Sequence, residues 1–137
     1  MDMPLAKWSE KLEFGLPMID AQHRQLFELA ASFAGNGDQI RVMKSLVMLC
    51  DYVKTHFRDE ESMLEAVDYP DLLAHRQQHR AFRGMLLNLL DSARHLSLDE
   101  IACEVEYLIF GWFYNHVLEV DLAYVPWIKD HHRRTHE

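Results

Sequence analysis

Hydrophobic residues recur at steps of three and four along four separate stretches of the chain, the spacing that lines one face of an α-helix. The first stretch reads Ile19, His23, Leu26, Ala30 and Phe33, and the second Val42, Leu46, Leu49, Val53, His56, Glu60 and Met63. The third reads Leu72, His75, His79, Phe82, Leu86, Leu89 and Ala93, and the fourth Leu98, Ile101, Val105, Leu108, Trp112 and His116. Helix boundaries follow from the residues between these runs. Asp20, behind the turn-like Gly15-Leu16-Pro17, is the expected N-cap of a first helix that runs to Phe33 and ends at Gly35-Asn36-Gly37. Asp38 caps a second helix reaching about Val67, where Asp68-Tyr69-Pro70 breaks the pattern. A third starts near Pro70, a favourable first-turn residue, and continues to about Arg94. Ser97 with Glu100 forms a capping box for a fourth that passes Asn115.

No stretch of alternating β-branched residues competes with these helices. Four amphipathic helices on short connections predict an all-α, antiparallel up-down-up-down four-helix bundle. Met1 to Met18 is expected to pack as an extended arm anchored by Trp8 and Phe14, and Lys129 to Glu137 to form a short solvated tail. The 137 residues fit one domain, 1–137, of ordinary globular composition.

The stripes are interrupted by polar side chains. His23, His56, Glu60, His75, His79 and His116 take positions whose neighbours on the same face are Leu, Val, Ile, Phe or Trp. One buried histidine is ordinarily satisfied by a hydrogen bond, whereas six such groups, one of them a carboxylate, need something that coordinates them. Imidazole nitrogen and carboxylate oxygen are a mixed donor set suited to iron, zinc, manganese or cobalt. His56 with Glu60, and His75 with His79, stand four residues apart, one turn along a single face. His116 and Asp121 stand five apart, a rotation of about 140° off the shared face of a regular helix. The fourth helix is therefore expected to distort or unwind before Asp121.

Net charge of −8 removes the electrostatic footprint of a nucleic-acid or anionic-membrane binder. No apolar run is long enough to span a bilayer and no signal segment opens the chain, so a cytoplasmic protein is expected. Cys50 and Cys103 read as packing residues. Glu61 reads as a solvated partner of Arg58 or Lys54, and His95, His131, His132 and His136 as surface histidines.

Taken in order, these residues resemble the hemerythrin family, and specifically its single-domain bacterial members. The family carries a histidine on the first helix, HxxxE on the second, HxxxH on the third and HxxxxD on the fourth. Here these are His23 in IDAQH, His56 and Glu60 in HFRDEE, His75 and His79 in HRQQH, and His116 with Asp121 in HVLEVD. The resemblance covers roughly Trp8 to Trp127, and Phe14-Gly15, Ile19-Asp20, Tyr69-Pro70, Trp112 and Tyr124 look like the family's surroundings. One position departs: Leu122 follows Asp121 where members commonly carry a basic residue.

The resemblance implies two iron ions joined by an oxo or hydroxo group, with Glu60 and Asp121 bridging them. It gives His75, His79 and His116 to one iron and His23 and His56 to the other, which is left one donor short of six. It implies reversible binding of dioxygen at that open position, with azide or other small anions taking it in the oxidised state. Leu26, Phe27, Phe57, Trp112, Phe113 and Val117, each within a turn of a ligand, are the expected apolar walls.

Four-helix diiron oxidases and ferritins use mainly carboxylates with ExxH repeats. Five histidines and two carboxylates favour carriage over catalysis, so an oxygen carrier, storage or delivery protein is expected rather than an enzyme. Sensing or detoxification of oxygen or nitric oxide at the same centre, or diiron redox turnover, are the alternatives. An oxygen-consuming enzyme or a signalling protein would then be the partner.

Overall fold

The structure is a computed structural model that describes residues 12–33 and 38–135. Four helical rods pack in a ring as an antiparallel bundle: α1 (Pro17–Ala31), α2 (Gln39–Ala66), α3 (Leu72–Ser92) and a fourth, compound rod spanning 98–124. Among the described residues no helix is long and apolar enough to cross a membrane.

The first helix begins three residues earlier than its expected cap. Pro17 supplies the N1 position, where its missing N–H costs nothing. Asp20 lies inside the first turn and its carboxylate turns back, Oδ1 accepting from Phe14 N (2.7 Å) and Oδ2 from Gly15 N (3.1 Å). Asp20 thus fixes the entering segment instead of capping the helix. Gly15 has φ 75°, a left-handed conformation that the turn needs and that glycine adopts without strain. Leu12, Phe14 and Leu16 of this segment are buried, while Trp8 and Gly35-Asn36-Gly37 lie outside the described residues.

Asp38 caps α2 as expected, accepting from Arg41 N at 2.8 Å. At the other end Tyr69 N bonds Leu64 O (3.0 Å) and Asp68 N bonds Glu65 O (3.1 Å), a Schellman closure with Asp68 at φ 53° where glycine is usual. The buried face of α2 ends on Leu64, and Met63 is only partly buried: the four-residue step from Glu60 follows the face better than the three-residue step. Helix α3 starts at Leu72 and tightens into a 3-10 turn at Ala93–His95.

The capping box of Ser97 and Glu100 starts α4 (Leu98–Glu106). Beyond it the rod is not regular: a π-helix (Tyr107–Phe113), one α-turn (α5, Tyr114–His116), a second π-helix (Val117–Asp121) and a 3-10 turn (Leu122–Tyr124) follow. The first π segment rotates the buried face so that Phe113 and Ile109 point inward, Trp112 is half-buried, and Leu98 is exposed at the helix start.

The expected tail from Lys129 is solvated but helical: α6 (Val125–Thr135) carries exposed Lys129, His132 and Arg133, while ahead of them Val125 and Ile128 are buried and Trp127 Nε1 donates to Val67 O at 2.7 Å. Trp127 ties α6 to the end of α2, and Val125 and Ile128 join the core. Cys50 is half-buried as a packing residue, but Cys103 is exposed on α4.

Candidate metal centre

Among the described residues, the buried polar and charged side chains are His23, His56, Glu60, His75, His79, His116 and Asp121, each at most 4% exposed. They converge from all four rods in one cluster inside the apolar core. His116 and Asp121 share a face because the second π-helix lies between them. Its hydrogen bonds span five residues instead of four, so a five-residue step completes about one turn. The distortion expected from their spacing is therefore a widened turn, with the backbone still helical.

The carboxylate oxygens are divided between two sets of histidines. Glu60 Oε1 lies 2.6 Å from His75 Nε2 and 3.1 Å from His79 Nε2, while Glu60 Oε2 lies 3.6 Å from His56 Nε2 and 3.8 Å from His23 Nε2. Asp121 divides the same way: Oδ1 is 3.0 Å from both His75 and His116 Nε2, and Oδ2 is 3.4 Å from His23 Nε2. Two groups result, Glu60, His75, His79, His116, Asp121 and His23, His56, Glu60, Asp121, each with donor atoms within 4.8 Å of one another. Two bonds of about 2.1 Å to a common centre span about 4.2 Å, so either group closes around one cation with shifts of a few tenths of an ångström.

The donor atoms are also left unsatisfied. Nε2 of His23, His56, His79 and His116 and both oxygens of Asp121 are buried without a hydrogen-bond partner. Buried polar atoms are nearly always paired, so this many unpaired atoms aimed at one place fit a cation.

Outer contacts set the histidine rings. His56 Nδ1 donates to Gln22 Oε1 (2.7 Å), His79 Nδ1 to Glu61 Oε2 (2.8 Å) and His116 Nδ1 to Gln78 Oε1 (2.9 Å). A proton held on Nδ1 leaves the Nε2 lone pair free to coordinate. Each acceptor sits next to a cluster residue in sequence, Gln22 by His23, Glu61 by Glu60 and Gln78 by His79, and anchors a histidine of the following rod. One residue is a 100° rotation on a helix, which carries the neighbour from the centre toward the adjacent rod. Glu61, expected to pair with Arg58 or Lys54, pairs instead with His79 and with Arg76 Nε (3.2 Å). Tyr124, fully buried, donates to Glu60 Oε2 at 3.0 Å. Sequence spacing alone did not find Gln22, Gln78 or these roles of Glu61 and Tyr124; for Gln22, Glu61 and Gln78 adjacency to a cluster residue was the available signal, and for Tyr124 a place three residues after Asp121.

Burial and mutual charge separate the ionisation of the cluster. Burial alone would depress His23 and His75, but the close approach and negative charge of Asp121 and Glu60 outweigh it and lift them to about 9 and about 10. His56 is pushed down to about 4, first by burial. Burial would raise Glu60 and Asp121, and the charge of Glu60 would raise Asp121 further, but the histidine Nε2 atoms crowded against them hold both below the usual carboxylate range. Burial and the nearby carboxylates push the Tyr124 phenol well above its ordinary value.

Aromatic rings surround the cluster. Phe113 meets His23 and His56 at centroid distances of 5.7 and 6.0 Å. Phe27 packs on Phe113, and Leu26 and Val117 are buried. Phe57 lies flat on His79 at 3.7 Å and also meets His56 at 5.7 Å. Trp112 stacks on His116 at 4.9 Å and on Phe82, which places its ring against the three-histidine group. His95 and His132 are exposed and His131 is partly exposed, apart from the cluster, and His136 lies outside the described residues.

The family described as hemerythrin HHE cation binding domain matches residues 15–128. A bacteriohemerythrin of Methylococcus capsulatus is 30% identical over 129 residues, covering 90% of this chain and 97% of its own. One of Stenotrophomonas maltophilia is 27% identical over 132 residues, covering 94% and 85%. Among solved structures, wild-type hemerythrin superposes with a TM-score of 0.78 at 25% identity, covering 91% of this chain and 98% of that one. An L114Y mutant of hemerythrin gives the same TM-score, 0.78, at 25% identity, covering 92% and 98%.

Proposed function

This chain belongs to the hemerythrin family, a family of cation-binding domains, and we propose that it holds two iron ions and binds dioxygen reversibly at one of them. The observation that carries the reading is the division of Glu60, whose Oε1 faces His75 and His79 while Oε2 faces His56 and His23. A carboxylate serving one ion has no need to present its two oxygens to opposite sets of histidines. In this proposal His75, His79 and His116 hold one ion, His23 and His56 hold the other, and Glu60 and Asp121 bridge them.

The protein donors number five in one group and four in the other. The ion beside His23 and His56 would thus have one protein donor fewer, which is where a small ligand would find room. Held there in the ferrous state, such a pair of ions would supply the two electrons that reversible binding of dioxygen needs.

The chain's part is to keep that exchange reversible. Gln22, Glu61 and Gln78 hold the Nδ1 protons of His56, His79 and His116, so Nε2 of these three rings points inward as donor. Tyr124 anchors Glu60 through the oxygen that faces His23 and His56. Leu26, Phe27, Phe113 and Val117, together with Phe57, form an apolar wall that excludes water and external protons. Trp112, on His116, closes the opposite side.

The test is anaerobic loading with ferrous iron, elemental analysis, and absorption spectra through repeated aeration and deoxygenation. Two irons per chain and a spectrum that returns on each cycle support carriage. Rapid conversion to a stable oxidised form would indicate redox turnover, and one metal at full occupancy would overturn the two-ion reading.

A further inference from the structure

The three outer acceptors differ in charge. Gln22 and Gln78 offer neutral amide oxygens to His56 and His116, whereas Glu61 offers a carboxylate to His79. Among the described residues Glu61 is the one carboxylate that accepts from an Nδ1 in this cluster, and His23 Nδ1 has no partner. Glu61 is held in place from its other oxygen, since Arg76 Nε donates to Oε1 at 3.2 Å while the Arg76 terminal nitrogen reaches Glu65 at 3.0 Å. Phe57, flat on the His79 ring, removes the freedom of that imidazole to tilt away.

The three bonds are alike in length, 2.7 to 2.9 Å, so the acceptor's charge separates them. A hydrogen bond to a carboxylate is roughly twice as strong as one to a neutral acceptor. It draws the Nδ1 proton outward and leaves more electron density on Nε2, the atom facing the cluster. His79 is therefore a stronger donor than His56, and His79 belongs to the three-histidine group alone.

We propose that Glu61 is a positioning residue that ranks the two metal positions, making the one held by His75, His79 and His116 the tighter. The proposal rests on the two-ion reading given above. Glu61→Gln keeps size, an acceptor oxygen and the reach to His79, so it removes the charge and little else. Arg76→Gln works in the opposite direction: it frees Glu61 from a cation and leaves its full charge to act on His79. If Glu61 and Arg76 merely tied α2 to α3, both substitutions would weaken the site alike.

The experiment uses full-length protein loaded with cobalt and stripped by increasing concentrations of a competing chelator. Paramagnetically shifted, exchangeable imidazole N–H signals report which histidines still hold metal. In the unsubstituted protein the signals of His23 and His56 should disappear first. In Glu61→Gln the three-histidine set should be lost at about 10- to 100-fold lower chelator, the range typical of lost outer partners, and one of its exchangeable signals should move. Arg76→Gln should retain the original order with the three-histidine position as tight or tighter. Equal weakening by both substitutions, or an unchanged order in Glu61→Gln, would overturn the role of Glu61 while leaving two cobalts per chain intact. A single cobalt per chain would overturn the ranking through the two-ion reading itself, even if Glu61→Gln still weakened that one ion.

Discussion

Tyr124 donates its hydroxyl proton to Glu60 Oε2 over 3.0 Å, joining the end of the fourth rod to the C-terminal part of α2 across 64 residues of sequence. Both groups are fully buried, and the acceptor is a carboxylate. Hydrogen bonds to charged groups contribute about 1.5–3 kcal/mol. Tyr124→Phe leaves the ring and its edge contact with Phe14 in place and removes only the donor. The variant should lose about that much stability, read as a fall of several degrees in melting temperature for a chain of this length. Unchanged melting would mean that Glu60 draws nothing from the phenol. Because burial and the carboxylates hold that phenol well above its usual range, alkaline absorbance titration of folded protein should also be the same with and without Tyr124 until the bundle opens.

Chelated protein should have a distinctive pH profile. His23 and His75 are raised from 6.5 to about 9 and about 10, so their stabilising protonation is complete below pH 6.5 and is lost as pH rises through those values. His56, lowered to about 4, acts oppositely: below 6.5 the unfolded chain gains a proton that the folded site refuses. Glu60 and Asp121, both depressed, add stability above their ordinary range and lose it on acidification. Stripped protein should therefore melt at progressively lower temperature from pH 6.5 to 10. Metal-loaded protein, in which the imidazoles serve as neutral donors, should not follow that decline, and metal binding near pH 8 should release protons. Melting curves at several pH values with and without chelator, and proton release in unbuffered solution, check both statements.

The residues that interrupt the hydrophobic stripes were readable because helical period and polar identity disagree there. His23, His56, Glu60, His75 and His79 fall on the buried faces that their spacing predicts. The fourth rod was legible only as an irregularity, since a five-residue step between His116 and Asp121 requires a distortion but does not say which. Phe113 replaces Trp112 on the inward face because the π-helix at Tyr107–Phe113 shifts the register, and no residue type marks such a segment in sequence. Asp20 looked like a cap because aspartate before an apolar run usually is one; Pro17 had already started the helix. The tail from Lys129 was legible as solvated but not as helical, because Val125 and Ile128, the buried residues of α6, lie ahead of it and are too few to signal a helix. Outer partners such as Gln22 and Gln78 are invisible to periodicity because they face the neighbouring rod and not the centre.

Phe113 should control access to the cluster. Its ring is fully buried and meets His23, His56, Phe27 and Phe57 at 5.7–6.2 Å. Phe113→Ala should cost about 3–5 kcal/mol through lost burial and a residual cavity. The same cavity shortens the path of water and small anions to the side held by His23 and His56. Azide should therefore bind oxidised, iron-loaded protein faster in Phe113→Ala, and oxygenated protein should oxidise irreversibly sooner. Phe82→Ala is a useful control, because Phe82 is equally buried but packs on Phe57, Trp112 and Phe113 and not on the histidine pair. If both variants changed azide binding equally, general loosening of the core would be the cause, and Phe113 would have no special place.

Metal and fold should be linked, most strongly at the middle of the bundle. With the metal removed, the cluster is left with buried donor atoms that lack partners, Nε2 of four histidines and both oxygens of Asp121 among them. Protons on His23 and His75 offset part of the charge of Glu60 and Asp121, but they cannot satisfy His56, which burial keeps neutral. The rest must be met by admitted water or by separation of the rods, and either costs packing. Ligand held at about 1,000 times its dissociation constant contributes about 4 kcal/mol, and each kcal/mol moves a domain of this size by a few degrees. Chelation should thus lower the melting temperature by about 10 °C or more. The loss should be uneven. Amides near His56 on α2 and His79 on α3 flank the unsatisfied atoms and should exchange faster, whereas those near Leu46 and Leu89, on unbroken apolar stretches of the same helices, should stay protected. Hydrogen exchange on loaded and chelated protein resolves the gradient. Uniform protection in both forms would mean that the apolar ends alone hold the bundle and that the cluster adds nothing to its stability.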